Sequence, residues 1–211
     1  SIELPHLWEK YESYTVLSVP ALGYGATPQG LLDDPALPRL LLGETKERDL
    51  SAAERADVLG HHFRYGEHDL VIIDWNAALV LEPSGSSDLP DLLEIANAHL
   101  LELRYYDDVL DRELNRVYDE IGRRKGSSLV RSPWKGLLRE LMLTLIELSE
   151  FIERVENSLR IVGDVYLARV YEAALTQLRV DRWQGQVTRK QRLLEKTYEL
   201  LKGEVDTDRA L

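Results

Sequence analysis

Two aspartates in the segment LRYYDDVLDREL, residues 103–114, have the spacing best suited to chemistry. Asp107 and Asp111 are four residues apart and therefore lie on one face of a helix. Paired carboxylates of this kind could bind a metal ion or carry out acid–base catalysis. Asp108 and Arg112 are also four apart, which is the spacing of an intrahelical ion pair. The segment therefore favours a polar helix face, with Asp107 and Asp111 as candidate metal ligands.

The histidine cluster HHFRYGEHD is a second candidate metal site. Neighbouring histidines on a helix point about 100° apart, so His61 and His62 cannot easily share a metal ion. A turn at Tyr65–Gly66 could instead fold the chain back and bring His62 and His68 together. A partly exposed helix end is the favoured interpretation, and His62 and His68 are kept as candidate ligands.

Other reaction classes lack the residues that they require. The chain has no cysteine, which excludes disulfides, thiol nucleophiles and cysteine-ligated metals. It contains no G-x-S-x-G turn, no Gly-Lys-Ser/Thr phosphate loop and no repeated Glu-x-x-His pattern of helical di-metal proteins. We therefore expect a non-enzymatic domain without a cofactor.

The net charge of −11 argues against a nucleic-acid-binding protein, because phosphate contacts require a basic field. A local basic loop at Arg123, Arg124 and Lys125 could meet anionic lipid or RNA. It is equally typical of a solvated helix end, where the helix dipole favours cations. The favoured interpretation is the solvated end, and no nucleic-acid partner is expected.

Residues 1–87 predict a small acidic α/β region, which carries a net charge of −8 against −3 for the rest of the chain. The segment 13–22 is rich in β-branched and aromatic residues and predicts a strand. Residues 69–74 and 77–83 flank Trp75–Asn76 and predict a β-hairpin. Strand-forming segments thus concentrate in this first region.

A helix is predicted between the strand and the hairpin. Ser51 and Glu54 have the S-x-x-E spacing of a capping box, in which each side chain satisfies a backbone N–H of the other residue. The helix is expected to run from about Ala52 to about Phe63.

Residues 88–211 predict a helical bundle. Apolar residues at steps of three and four residues form two long seams, in 89–121 and 138–159. Ser132–Pro133 should open the second helix, as a cap residue followed by proline. Two long amphipathic helices joined in this way should pair as an antiparallel hairpin of coiled-coil type.

Two further helices should complete the bundle. One is predicted over roughly 164–179, with Asp164 as its cap. The last should begin near Asp181, and Gly203 could end it. Charged sequence continues to Leu211 without a proline, so we expect the native chain to go on.

The order of these parts resembles a known family. The segments YYDDVLDRELNRVYDEI, GDVYLARVY and RWQGQVTRK, together with the hairpin VIIDWNAALVLEP, are similar to the proteins "required for meiotic nuclear division" (domain of unknown function 155). The similarity covers the chain from about residue 66 onward and carries over no functional residue. It implies a terminal helix that continues into a membrane anchor. The layout also resembles the cytosolic part of CorA-type magnesium channels, although their Gly-Met-Asn signature is absent.

These observations give one overall expectation. The chain is predicted to be an α+β protein, with a small N-terminal α/β unit at 1–87 and a helical bundle at 88–211. Its expected role is oligomerisation or scaffolding, as the soluble domain of a membrane-anchored protein on the cytoplasmic side of a bacterial or organellar inner membrane. The expected partner is a second copy of the chain. The alternative is a metal-sensing regulatory domain of a CorA-like divalent-cation transporter.

Overall fold

The computed structural model describes residues 10–44, 49–124, 134–161 and 164–210. It confirms the predicted α+β class, with one four-stranded sheet followed by a mostly helical region. The elements in chain order are β1 (Thr15–Val19), α1 (Pro28–Asp33), α2 (Ala36–Leu41), α3 (Ala52–Val58), β2 (His62–Phe63), β3 (Leu70–Ile73), β4 (Ala77–Leu81), α4 (Asp88–Arg124), α5 (Trp134–Ile161), α6 (Val165–Gln177) and α7 (Val180–Ala210).

The sheet has the strand order β1-β4-β3-β2 and is mixed. β3 and β4 form the predicted hairpin, with Leu70 opposite Leu81 and Ile73 opposite Ala78. β1 lies parallel to β4, and β2 completes the other edge in the antiparallel direction. The two central strands are buried along their whole length, which explains why they are apolar at every position rather than at alternate ones.

Successive side chains of a strand point to opposite faces of the sheet, so the two faces have different neighbours. Leu70 and Ile72 belong to a core cluster with Leu37 of α2 and Val58 of α3. The opposite face is buried as well, and α6 packs next to β3. The sheet therefore needs helices on both sides.

The capping box of α3 is confirmed, because Ser51 Oγ accepts from the Glu54 N–H and Glu54 accepts from the Ser51 N–H. The predicted extent of this helix was wrong, since α3 ends at Val58. Gly60 lies so close to the last turn that a Cβ there would be 3.1 Å from the Ala56 carbonyl oxygen. The chain then turns, and His62 and Phe63 pair with β3 instead of extending the helix.

The chain divides into two compact units that interleave in sequence. The first, which we call the sheet unit, comprises Ser1–Leu101 and Leu159–Val180; the second, the bundle unit, comprises Glu102–Ser158 and Asp181–Leu211. The sequence placed a boundary at residue 87, where strands give way to helices. The contacts between residues divide the chain inside α4, α5 and α7.

The bundle unit consists of the second part of α4 together with α5 and α7. The rings of Tyr106 and Phe151 stack with centroids 4.9 Å apart, and Arg116 binds Glu140 at 2.5 Å. In these two contacts the higher residue number in α4 is paired with the lower residue number in α5. The two helices therefore run antiparallel, as predicted. Leu103, Leu110 and Leu114 of the predicted α4 seam are buried.

The third helix of the bundle unit runs parallel to α4. The guanidinium of Arg104 in α4 lies over the Trp183 ring of α7. Asp107, further along α4, contacts Lys190, which is also further along α7. α7 continues through Gly203 to Ala210, so the predicted helix end at Gly203 was wrong. A glycine inside a helix lowers the stability of the helix by only about 1 kcal/mol relative to alanine. The backbone hydrogen bonds of the residues that follow can offset this loss.

The start of α6 follows the prediction. The Asp164 side chain accepts from the backbone N–H groups of Tyr166 and Leu167, as expected of an N-cap. The predicted cap at Ser132–Pro133 and most of the basic loop after Arg124 lie outside the described residues.

Candidate functional sites

Asp107 and Asp111 share one cation, which is the ammonium group of Lys190. Lys190 Nζ lies 2.6 Å from Asp107 Oδ1 and 2.7 Å from Asp111 Oδ1. The Asp107 side chain is mostly buried, with 15% of its surface exposed, whereas Asp111 is more open at 54%. The cluster, which we call the Lys190 clamp, joins α7 to α4 through two ion pairs.

Two opposing effects act on the pKa of Lys190. Desolvation by burial alone would lower it, but the hydrogen bonds and charges of Asp107 and Asp111 outweigh that effect and raise the pKa above its ordinary value. The lysine is therefore charged throughout the physiological range. The sequence pointed to the two carboxylates as unusual, and the structure assigns them a protein cation 79 residues or more further along the chain.

The two histidine candidates lie in different elements. His62 is exposed in β2, with its Nδ1 2.7 Å from the Leu59 carbonyl oxygen, so this nitrogen donates a hydrogen bond. His68 lines an open cleft beyond the turn at Tyr65–Gly66. Within the described part of the chain, no three His, Cys, Asp or Glu side chains come together as a metal site. Metal binding at Asp107 and Asp111, or at His62 and His68, stays a prediction.

The cleft beside His68 lies within the sheet unit and has a volume of about 520 Å³. The Asp69 carboxylate is 9% exposed and accepts from the N–H groups of Tyr65, at 2.6 Å, and Gly66, at 2.5 Å. Tyr166 of α6 packs on Tyr65 with ring centroids 5.2 Å apart. These bonds hold the turn in place. Tyr166 joins this cleft from 97 residues away, so no local sequence pattern could have predicted it.

A second buried carboxylate lies at the end of β3. Asp74 is 6% exposed, and its Oδ2 has no hydrogen-bond partner among the described residues. Burial raises the pKa of Asp74, and the nearby Asp57 raises it further, while the Trp75 N–H and His61 oppose the shift. The Tyr14 hydroxyl donates to the Asp74 backbone carbonyl at 2.9 Å. This end of the sheet thus contains an acid that burial holds towards its neutral form.

His99 of α4 belongs to the core of the sheet unit. Its Nδ1 lies 2.7 Å from the hydroxyl of Tyr171, a fully buried residue of α6. Desolvation by burial lowers the pKa of His99, which favours the neutral ring. The pair is a satisfied hydrogen bond between two helices and serves packing.

An apolar groove lies between α5 and α7 in the bundle unit, and we call it the α5/α7 groove. Its volume is about 350 Å³. Met142 and Ile146 expose 49% and 43% of their surfaces, although both belong to a long amphipathic helix. The groove is lined by Met142, Leu145, Ile146, Ser149, Glu150, Glu153 and Tyr198. It combines an apolar floor with an acidic end.

Within the described residues, no helix is both long enough and apolar enough to cross a membrane. The anchor implied by the family resemblance therefore stays a prediction.

Comparison with known proteins gives a family match over the first part of the chain and a longer match to a curated protein. A protein family described as "Uncharacterized protein MJ0711, N-terminal domain" matches residues 1–88. The Uncharacterized protein MJ0711 of Methanocaldococcus jannaschii is 26% identical over 143 residues, which are 67% of this chain and 43% of that protein. The chain thus spans less than half the length of this relative. No solved structure shows a significant match.

Proposed function

We propose that this chain is a non-catalytic assembly module, whose bundle unit joins copies of the same chain within a membrane-anchored protein. The proposal rests on the α5/α7 groove. Scattered apolar residues are normal on a protein surface, but a contiguous apolar groove on a helical bundle is typical of an interaction site.

The observation that carries the proposal is the second stripe of α5. Leu141 and Leu148 point into the bundle unit and are fully buried. Met142 and Ile146, four residues apart, form a separate stripe that the described helices leave exposed. A single helix with two apolar stripes can contact two sets of neighbours. The second set is supplied by another subunit in this proposal.

The proposal predicts that the chain is an oligomer and that Met142→Ser/Ile146→Ser dissociates it. Both side chains lose the apolar surface that would be buried between subunits, so the dissociation constant should rise by at least about tenfold. Size-exclusion chromatography with light scattering over a dilution series measures the mass. The matched control is Ile95→Ser, which alters an equally exposed isoleucine in the sheet unit. A wild-type monomer at high micromolar concentration would contradict the proposal.

The alternative function is metal sensing as the regulatory domain of a divalent-cation transporter. The observation in its favour is that Asp107 and Asp111 already hold a shared cation. A divalent ion would have to displace the Lys190 ammonium group to reach both carboxylates. Calorimetry with Mg²⁺, Mn²⁺ and Zn²⁺ tests this alternative, and the absence of heat with all three ions would remove it.

The membrane anchor is a separate part of the proposal, supported by the family resemblance alone. Its test is fractionation of cells that make the full-length protein. The anchored protein should sediment with membranes and require detergent for release, whereas release by salt or alkaline washing would refute the anchor.

A further inference from the structure

The exposed side of α7 carries a strip of alternating cations and leucines. Its members are Arg189, Leu193, Lys196 and Leu200, which follow one another at steps of four, three and four residues. Such steps place them on one helix face. Leu193 exposes 44% of its surface and Leu200 74%. No ion pair of Arg189 or Lys196 is formed within the described residues.

The α5/α7 groove offers the complementary pattern on α5. Met142 and Ile146 supply apolar surface at one end, and Glu150 and Glu153 supply negative charge at the other. Both glutamates are exposed. The two strips also agree in length, because each covers twelve residues from first to last, which are eleven steps or about 16.5 Å of helix.

We propose that the α7 strip of one copy docks into the α5/α7 groove of the next copy, antiparallel to α5. This inference rests on the proposed function and names its contact surfaces. In the antiparallel direction Leu200 faces Met142 and Arg189 faces Glu153. The methylene stem of Lys196 covers Ile146, and its ammonium group reaches the acidic end of the groove. The parallel direction would instead place Arg189 on Met142 and Leu200 on Glu153, which mismatches both ends.

The two contact surfaces lie on opposite sides of α7. Tyr198 lines the groove, and Leu200 is two residues further along, or about 200° around the helix axis. One copy therefore cannot present both surfaces to the same neighbour, and the contact is heterologous. Because α5 and α7 of one copy run antiparallel, the docked α7 runs parallel to the α7 of its host. Repetition of this contact gives a ring of three or more copies or an open chain.

Charge reversal tests this docking on the whole protein. Arg189→Glu/Lys196→Glu and Glu150→Arg/Glu153→Arg should each raise the dissociation constant by about tenfold or more, because opposed like charges replace attractive pairs. The variant that combines all four substitutions restores attraction with the signs exchanged. It should return to within about threefold of the wild type. Light scattering gives the mass, and circular dichroism checks that each variant is helical.

The control is Arg112→Glu/Arg169→Glu, at two exposed arginines outside the strip. It changes the net charge by the same amount as Arg189→Glu/Lys196→Glu. It should leave the mass unchanged. A wild-type oligomer that neither reversal weakens would overturn the docking while leaving the assembly role intact. A wild type that stops at a dimer would also overturn it, since the contact cannot close with two copies. A wild-type monomer would overturn the assembly role itself.

Discussion

Lys190→Met should destabilise the bundle unit by about 1.5–3 kcal/mol, the range for hydrogen bonds to charged groups. The methionine keeps most of the apolar stem but removes the cation from the Lys190 clamp. Asp107, whose side chain is mostly buried, would then lose the ammonium group that lies 2.6 Å from its Oδ1 in the wild type. Urea unfolding at one fixed protein concentration measures the loss, because oligomers gain apparent stability with concentration.

The control variant for the Lys190 clamp is Lys202→Met. It replaces an exposed lysine further along α7. Its unfolding free energy should stay within about 0.5 kcal/mol of the wild type. Lys190→Met/Asp107→Asn removes the buried charge together with its partner and should recover part of the loss. Equal effects of Lys190→Met and Lys202→Met would show that the clamp contributes nothing specific.

Asp74→Asn should stabilise the sheet unit at pH 7 by about 1–2 kcal/mol, because a neutral amide removes the cost of holding an ionised carboxylate in a buried place. Burial raises the pKa of Asp74 in the folded protein above its unfolded value of about 3.9. The folded state therefore retains the proton to higher pH than the unfolded state does. Stability falls as the pH rises from the unfolded pKa through the folded pKa.

The advantage of Asp74→Asn should accordingly shrink as the pH is lowered towards 4, because the folded wild type takes up a proton at Asp74 over this range before the unfolded state does. Thermal unfolding from pH 4 to pH 8 gives this profile. Glu172→Gln removes an exposed acid of α6 and serves as the control for the loss of one carboxylate. A pH-independent effect of Asp74→Asn would mean that the acid titrates alike in both states.

The elements that sequence predicted well depend on local patterns. The capping box needs only Ser51 and Glu54, and the hairpin needs two apolar segments separated by a short turn. The seam through Leu103, Leu110 and Leu114 is likewise a periodic signal within one helix, and these residues are buried as predicted. Each of these features is determined by residues close in the chain.

The features that sequence could not predict depend on distant partners. Asp107 and Asp111 stood out as carboxylates without an intrahelical partner, but nothing near them indicated Lys190. The end of α3 was predicted wrongly because His62 and Phe63 pair with β3 as an edge strand. This pairing depends on residues outside the helix. The same holds for Tyr166, which reaches the turn at Asp69 from another helix.

The interleaving of the two units has a consequence for synthesis on the ribosome. The sheet forms from residues up to Leu81, yet α6, which packs beside β3, is made only after the whole of α5. A nascent chain that has left the ribosome as far as Ser158 still lacks the segment Leu159–Val180 that belongs to the sheet unit. The sheet unit thus begins first but can be completed only after the first segment of the bundle unit has been made. During that interval the apolar face of the hairpin is exposed to chaperones and to neighbouring nascent chains.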